Sequence, residues 1–92
     1  MKPAVTLTLP PLLRDIAGAV EFRLHAATLH EAMEELYRRV PPLRGHLCDE
    51  RGRFRGHVLC LVNGVNLRDL KPADPPLAPG DRISILQAIS GG

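Results

Sequence analysis

The residues with the clearest chemical potential stand at the very end of the chain. Gln87-Ala88-Ile89-Ser90 carries no charged side chain and runs into Gly91-Gly92, so the terminal carboxylate is the charged group of this stretch. At a glycine usage of about 7%, two terminal glycines arise by chance in roughly one chain in 200. The pair gains weight from its place directly behind a strand pattern. A free carboxylate is a poor electrophile, so chemistry at such an end requires that another agent activate it.

Other reactive residue types are present without forming a recognisable site. His46, Cys48, His57 and Cys60 fit no zinc-ligand spacing. On a strand, His57 and Cys60 would point to opposite faces, which leaves Cys60 as a small core residue. Arg51, Arg53 and Arg55 alternate with Gly52, Phe54 and Gly56. An RNA-binding arginine–glycine segment would look similar but longer, and with one aromatic residue this one reads as a solvated loop. Its arginines could help to meet an acidic partner surface. Glu34 and Glu35 are neighbours in a helical pattern and read as solvent-side residues, and Asp49-Glu50 reads as loop solvation. No nucleophile–base pair and no glycine-rich phosphate loop is recognisable.

These residues need a scaffold, and the patterning supplies one. Val5, Leu7 and Leu9 alternate with Thr6 and Thr8, then Val20, Phe22 and Leu24 alternate with Glu21, Arg23 and His25. Both runs read as half-buried strands, joined as a long-looped hairpin. Thr28-Leu29-His30-Glu31 has the form of a capping box. Behind it Leu29, Met33, Leu36, Tyr37 and Val40 fall at helical spacing until Pro41-Pro42. Gly45 to Gly56 reads as a polar loop. Val58 to Val62 is a strand-length apolar run, Asn63-Gly64 a type I′ hairpin turn and Val65 to Leu70 the return strand. Lys71 to Pro79 holds four prolines and predicts an ordered but irregular loop. The last strand runs from Arg82 to Gln87. The order ββαβββ predicts an α+β domain over residues 1–87, a mixed sheet with one main helix, followed by a flexible tail over 88–92.

Size and composition limit the alternatives. Ninety-two residues make one domain with a modest core and little room for a deep catalytic pocket. A net charge of +2, with 12 basic and 10 acidic residues, predicts neither nucleic-acid nor membrane binding. Ten of the basic residues are arginine, which leaves Lys2 and Lys71 as the side-chain amines. Two cysteines do not make a disulfide framework. No apolar run approaches a membrane span and no signal peptide is visible, so the expected location is the cytoplasm.

Val62-Asn63-Gly64, Leu77-Ala78-Pro79-Gly80-Asp81 and the run Ile83-Ser84-Ile85-Leu86-Gln87-Ala88-Ile89-Ser90-Gly91-Gly92 together carry a resemblance. Over essentially its whole length the chain resembles the MoaD/ThiS family of ubiquitin-like sulfur carriers, which implies the β-grasp fold. Leu9-Pro10-Pro11-Leu12-Leu13-Arg14 and Leu47 through Arg55 are more similar to the carrier type of thiocarboxylate-dependent cysteine synthesis. Gln87 departs from the proline common at that position.

The resemblance implies a protein co-substrate rather than an enzyme. An E1-like partner using ATP and Mg would adenylate the Gly92 carboxylate, a sulfur donor would displace AMP, and the thiocarboxylate would serve a downstream synthase. No cofactor bound to the carrier itself is expected. The receiving pathway would be cysteine, molybdopterin or thiamine synthesis or tRNA thiolation; in the molybdopterin case the chain would be the small subunit of a synthase. Glycine suits positions 91 and 92 because a tail without side chains can thread a narrow channel. Ala88, Ile89 and Ser90 would accompany it into the partner.

Strand parity predicts a docking surface. Ile83 and Ile85 should face the helix, with Ser84 and Leu86 on the other side. On the preceding strand either Val58, Cys60 and Val62 or Leu59 and Leu61 must face outward, and the ubiquitin-like resemblance favours the leucines. Leu59, Leu61 and Leu86 would then form an exposed apolar patch beside the tail. Two rival functions remain: a protein modifier conjugated through Gly92, and a β-grasp binding module with no terminal chemistry.

Overall fold

The computed structural model describes residues 1–87. Strands β1 (Ala4–Thr8) and β2 (Glu21–His25) pair antiparallel, with Val5 opposite Leu24 and Leu7 opposite Phe22. The connection between them is not plain loop. Pro11–Leu13 forms a 3₁₀ turn that leads into the short helix α1 (Arg14–Ala17), and Leu13 is buried. Proline at the first position suits a helical start, because its missing N–H has no partner to lose there. Gly18, at φ +81°, ends α1 in the left-handed conformation.

The main helix α2 (Leu29–Arg39) starts where the capping pattern predicts. Thr28 Oγ1 accepts the Glu31 N–H at 3.3 Å. Glu31 reaches back one residue further than expected, accepting the Ala27 N–H at 2.8 Å. Leu29, Ala32, Met33, Leu36 and Tyr37 form its buried stripe. Pro41-Pro42 does end α2, but it also begins a third helix, α3 (Pro42–Leu47). The expectation of a loop from Gly45 is therefore corrected. Leu43 and Leu47, one helical turn apart, are both fully buried, and this burial outweighs the weak helix propensity of Gly45.

Strand β3 (Val58–Val62) turns through Asn63 (φ 51°) and Gly64 (φ 84°) into β4. Both positive values are those a type I′ turn requires. The return strand is shorter than expected, Val65–Asn66 alone. Asn66 Oδ1 accepts the Arg68 N–H at 3.1 Å and caps a 3₁₀ turn over Leu67–Asp69. This local side-chain bond competes with ladder formation and draws the chain out of the sheet.

Strand β5 (Arg82–Gln87) lies in the middle of the five-stranded sheet, whose order is β2-β1-β5-β3-β4. It runs parallel to β1 and antiparallel to β3. The α+β, β-grasp expectation holds, with α1 and α3 added to the main helix. Val5, Leu7, Leu24, Val58, Cys60, Val62, Ile83 and Ile85 point from the sheet into one core with α2, Leu43 and Leu47. The proline-rich loop is tied to the start of α2 by the Leu29 N–H to Pro75 carbonyl and Leu77 N–H to Ala27 carbonyl bonds, at 3.1 and 2.9 Å. Among the described residues no helix is long and apolar enough to cross a membrane.

Candidate functional site

The site is assembled around β5, because this strand leads directly into the last five residues. Gly91, Gly92, Ala88, Ile89 and Ser90 were singled out in the sequence and lie outside the described residues. Their root is well defined. Gln87, the last described residue, is in register with Val58, and Leu86 is in register with Leu59. β5 is held by β1 as far as Ser84, and from Ile85 to Gln87 its register is set by β3 alone.

Parity then sorts the leucines. Val58, Cys60 and Val62 are buried on the helix side of β3, so Leu59 and Leu61 take the other face. Leu86 is 43% exposed and stands on that same face, with Ser84 opposite Leu61. Leu59, Leu61 and Leu86 thus form a contiguous apolar strip on the uncovered side of the sheet, at the end from which residues 88–92 follow. The face continues through Ser84 to Thr6 and Thr8 of β1, which are in register with Arg82 and Ser84 of β5.

The register that creates this strip is locked by two loops. Asn63 Nδ2 donates to Asp81 Oδ1 at 3.0 Å, and Asn63 Oδ1 accepts the Arg82 N–H at 2.9 Å. Asp81 Oδ2 also accepts the Ala78 N–H at 2.8 Å, closing the turn before β5. Asn63 reads in sequence as a turn residue alone. Its second role, clamping β3 to β5, was not found there, although Asn63-Gly64 and Gly80-Asp81 are both among the motifs singled out.

The remaining candidates are structural. Cys60 is 3% exposed, and burial pushes its thiol up to about 12. Cys48 is buried against Tyr37, whose hydroxyl lies 3.0 Å from Cys48 Sγ. Burial, with this contact second, raises the Tyr37 pKa above its usual range. Among the described residues no group of three or more His, Cys, Asp or Glu side chains is arranged to hold a metal. Glu34 pairs with Arg44, and Glu35 accepts from both the His25 N–H and Arg39. Asp49 organises its loop rather than merely solvating it. Its Oδ1 accepts the N–H groups of Arg51 and Arg53, and these bonds hold its carboxyl below the usual range.

A mixed five-stranded sheet grasping one main helix, with an apolar strip beside its central strand, defines the ubiquitin-like β-grasp class. Residues 7–92 match the ThiS family, and the chain belongs to that family of ubiquitin-like sulfur carriers. No curated protein matches the sequence. Among solved structures, the chain is similar to small archaeal modifier protein 1 from Methanosarcina acetivorans, at TM-score 0.83 and 28% identity, covering 100% of this chain and 99% of that one. It is similar to a chain of the BexX/CysO complex from Amycolatopsis orientalis, at TM-score 0.85 and 26% identity, covering 97% and 100%. Mycobacterium tuberculosis CysO gives TM-score 0.82 and 25% identity, covering 92% and 99%.

Proposed function

We propose that this carrier acts as a protein co-substrate whose Gly92 carboxylate is converted to a thiocarboxylate. The observation that supports this most directly is the Leu59–Leu61–Leu86 strip beside the strand that leads into the Gly-Gly end. In this reading the strip docks an E1-like adenylating enzyme, and residues 88–92, with Ala88, Ile89 and Ser90 leading to Gly91, enter the enzyme's channel. A Gly92 carboxylate oxygen attacks the α-phosphate of ATP, held with Mg by the partner, and pyrophosphate leaves. Sulfide then attacks the acyl carbon, AMP departs and a thiocarboxylate remains. The carrier contributes position and a leaving pathway, and the partner contributes the catalytic groups.

The receiving step belongs to a second enzyme, a sulfur-accepting synthase. The similarity of Leu9 through Arg14 and Leu47 through Arg55 to the carrier type of thiocarboxylate-dependent cysteine synthesis favours that pathway, and the BexX/CysO complex is a precedent for a CysO chain meeting a protein partner. A cytoplasmic setting suits the supply of ATP and reduced sulfur. The likeness to small archaeal modifier protein 1 supports a second reading, conjugation of Gly92 to lysines of other proteins. Both readings use the same adenylate.

The test is mass spectrometry of the C-terminal peptide after incubation with ATP, Mg, an E1-like enzyme and sulfide, with the product trapped by an alkylating reagent. An alkylated thiocarboxylate at Gly92 is expected. Unmodified Gly92, with an activating enzyme proven competent on another carrier, would contradict the proposal. Adding one residue after Gly92 should abolish both the thiocarboxylate and any conjugate.

A further inference from the structure

On the helix side of the sheet, away from the leucine strip, lies a groove of about 510 Å³ that the proposed chemistry does not use. This volume falls within the range of ligand and side-chain pockets. Its floor is core, the buried Leu29, Met33 and Tyr37 of α2, and the half-buried Phe54 and Leu67 face it from the loops. The rim holds Arg44, Arg51 and Arg53 against Glu34 and Asp74.

Glu34 is taken by Arg44 at 2.9 Å, and that guanidinium also lies 4.7 Å over the Tyr37 ring. Asp74 Oδ1 accepts the His30 N–H at 2.7 Å. Arg51 forms no ion pair among the described residues, and Arg53 meets Asp49 only at 3.8 Å. Asp49 is instead engaged by the backbone N–H groups of Arg51 and Arg53, at 2.9 and 3.1 Å. Gly52, at φ +79°, lets the loop turn between the two arginines. The Cys48–Phe54 bridge closes the base of the loop and sets Phe54 against the core. The loop is therefore built, and it presents at the mouth of the groove Arg51, which has no ion pair among the described residues, and Arg53, whose one ion pair is the longer contact to Asp49.

We infer that this groove is a second docking surface, which takes an acidic segment of a partner enzyme. An apolar side chain of the segment packs on the half-buried Phe54 and Leu67, and flanking carboxylates meet Arg51 and Arg53. Guanidinium–carboxylate pairing suits this geometry because the planar fork donates to two oxygens at once. The inference rests on the carrier reading for the kind of partner. Because the groove and the leucine strip lie on opposite sides of the sheet, one enzyme could hold the carrier here while residues 88–92 are engaged elsewhere.

The test needs neither ATP nor an activating enzyme, so its outcome is independent of the chemistry at Gly92. The probe is a blocked peptide, Asp-Glu-Leu-Phe-Glu-Asp, titrated into the isotopically labelled full chain and followed by amide NMR. Expected shifts fall on Arg51 through Phe54, His30 and Tyr37. Affinity should drop about tenfold in the R51A/R53A double variant, equivalent to the loss of one to two charge-assisted bonds. The variant's unshifted core resonances would show that it folds. No shift at the groove, equal binding by the double variant, or equal binding of a peptide with lysine at the acidic positions would each overturn the inference. So would shifts confined to Leu59, Leu61 and Leu86, or phenylphosphate binding as tightly as the peptide, which would mark a small-anion site.

Discussion

Leu59 and Leu86 stand directly opposite each other across the β3–β5 ladder, on the sheet face that no helix covers. Each is one residue from a buried neighbour: Val58 and Cys60 flank Leu59, and Ile85 precedes Leu86. The pair therefore marks where the core side of the sheet ends and its outer side begins. It also lies one register step from Gln87, the root of the C-terminal residues.

Leu86→Asp should separate docking from folding. A change at a 43% exposed position alters stability by only about 0.5 kcal/mol. Loss of an apolar anchor at an interface costs about 1–2 kcal/mol, so the KM of an E1-like enzyme for the carrier should rise roughly tenfold. Steady-state adenylation kinetics check this, with the urea midpoint as the control. An unchanged KM would remove Leu86 from the interface.

Asn63→Gly should loosen the β3–β5 register while keeping the turn. Glycine accepts the positive φ of 51° but loses the bonds to Asp81 and the Arg82 N–H. Two exposed bonds predict a loss of about 1–2 kcal/mol in urea denaturation. Asn63→Ala should cost more, because alanine adds strain at the same φ. If both variants matched the parent, the clamp would be ornamental.

Stability should fall in acid, partly through Glu31. The Ala27 N–H first, and Lys2 second, hold its carboxyl below its ordinary value of 4.5. A depressed folded pKa means that the stabilisation is fully present above about pH 4.5 and is lost as pH falls through the folded value. Glu31→Gln should flatten this part of the pH–stability curve, measured by thermal unfolding from neutral buffer down to strongly acidic buffers well below pH 4.5. An equally steep curve in the variant would assign the acid loss to other carboxylates, Asp49 among them.

The native cysteines should resist alkylation. Cys48 and Cys60 are 6% and 3% exposed, and the Cys60 thiol is pushed up to about 12 by burial. Thiolate, the reactive form, is scarce at Cys60 near neutral pH. Iodoacetamide should therefore label the unactivated folded protein slowly and the urea-unfolded protein fast. The same property makes native-state alkylation a clean report of a thiocarboxylate. Rapid labelling of the folded, unactivated chain would defeat both uses.

Much of this architecture is legible in the order of residues. Alternation in Val5 to Leu9 and Val20 to Leu24, the Thr28–Glu31 cap and Asn63-Gly64 each act over a few neighbours, and each forms close to where it is read. The misread segments are those where a distant contact overrides local preference. Pro42–Leu47 is helical because Leu43 and Leu47 have a core to enter, and β4 stops at Asn66 because a side-chain cap diverts the backbone. Neither cause is visible in composition.

By itself the sequence determined the ββαβββ order, the buried stripe of α2 and the glycine pair at the end, since periodicity and capping are short-range properties of the chain. It left two ways to face β3, and likeness to other ubiquitin-like chains was needed to prefer one. Only the tertiary structure decided that Leu59 lies against Leu86, that Asn63 binds Asp81 across 18 positions, and that Arg51 and Arg53 border a groove with Tyr37. Such pairings depend on which strands meet and in what register, and register is set by the burial of one whole sheet face at once.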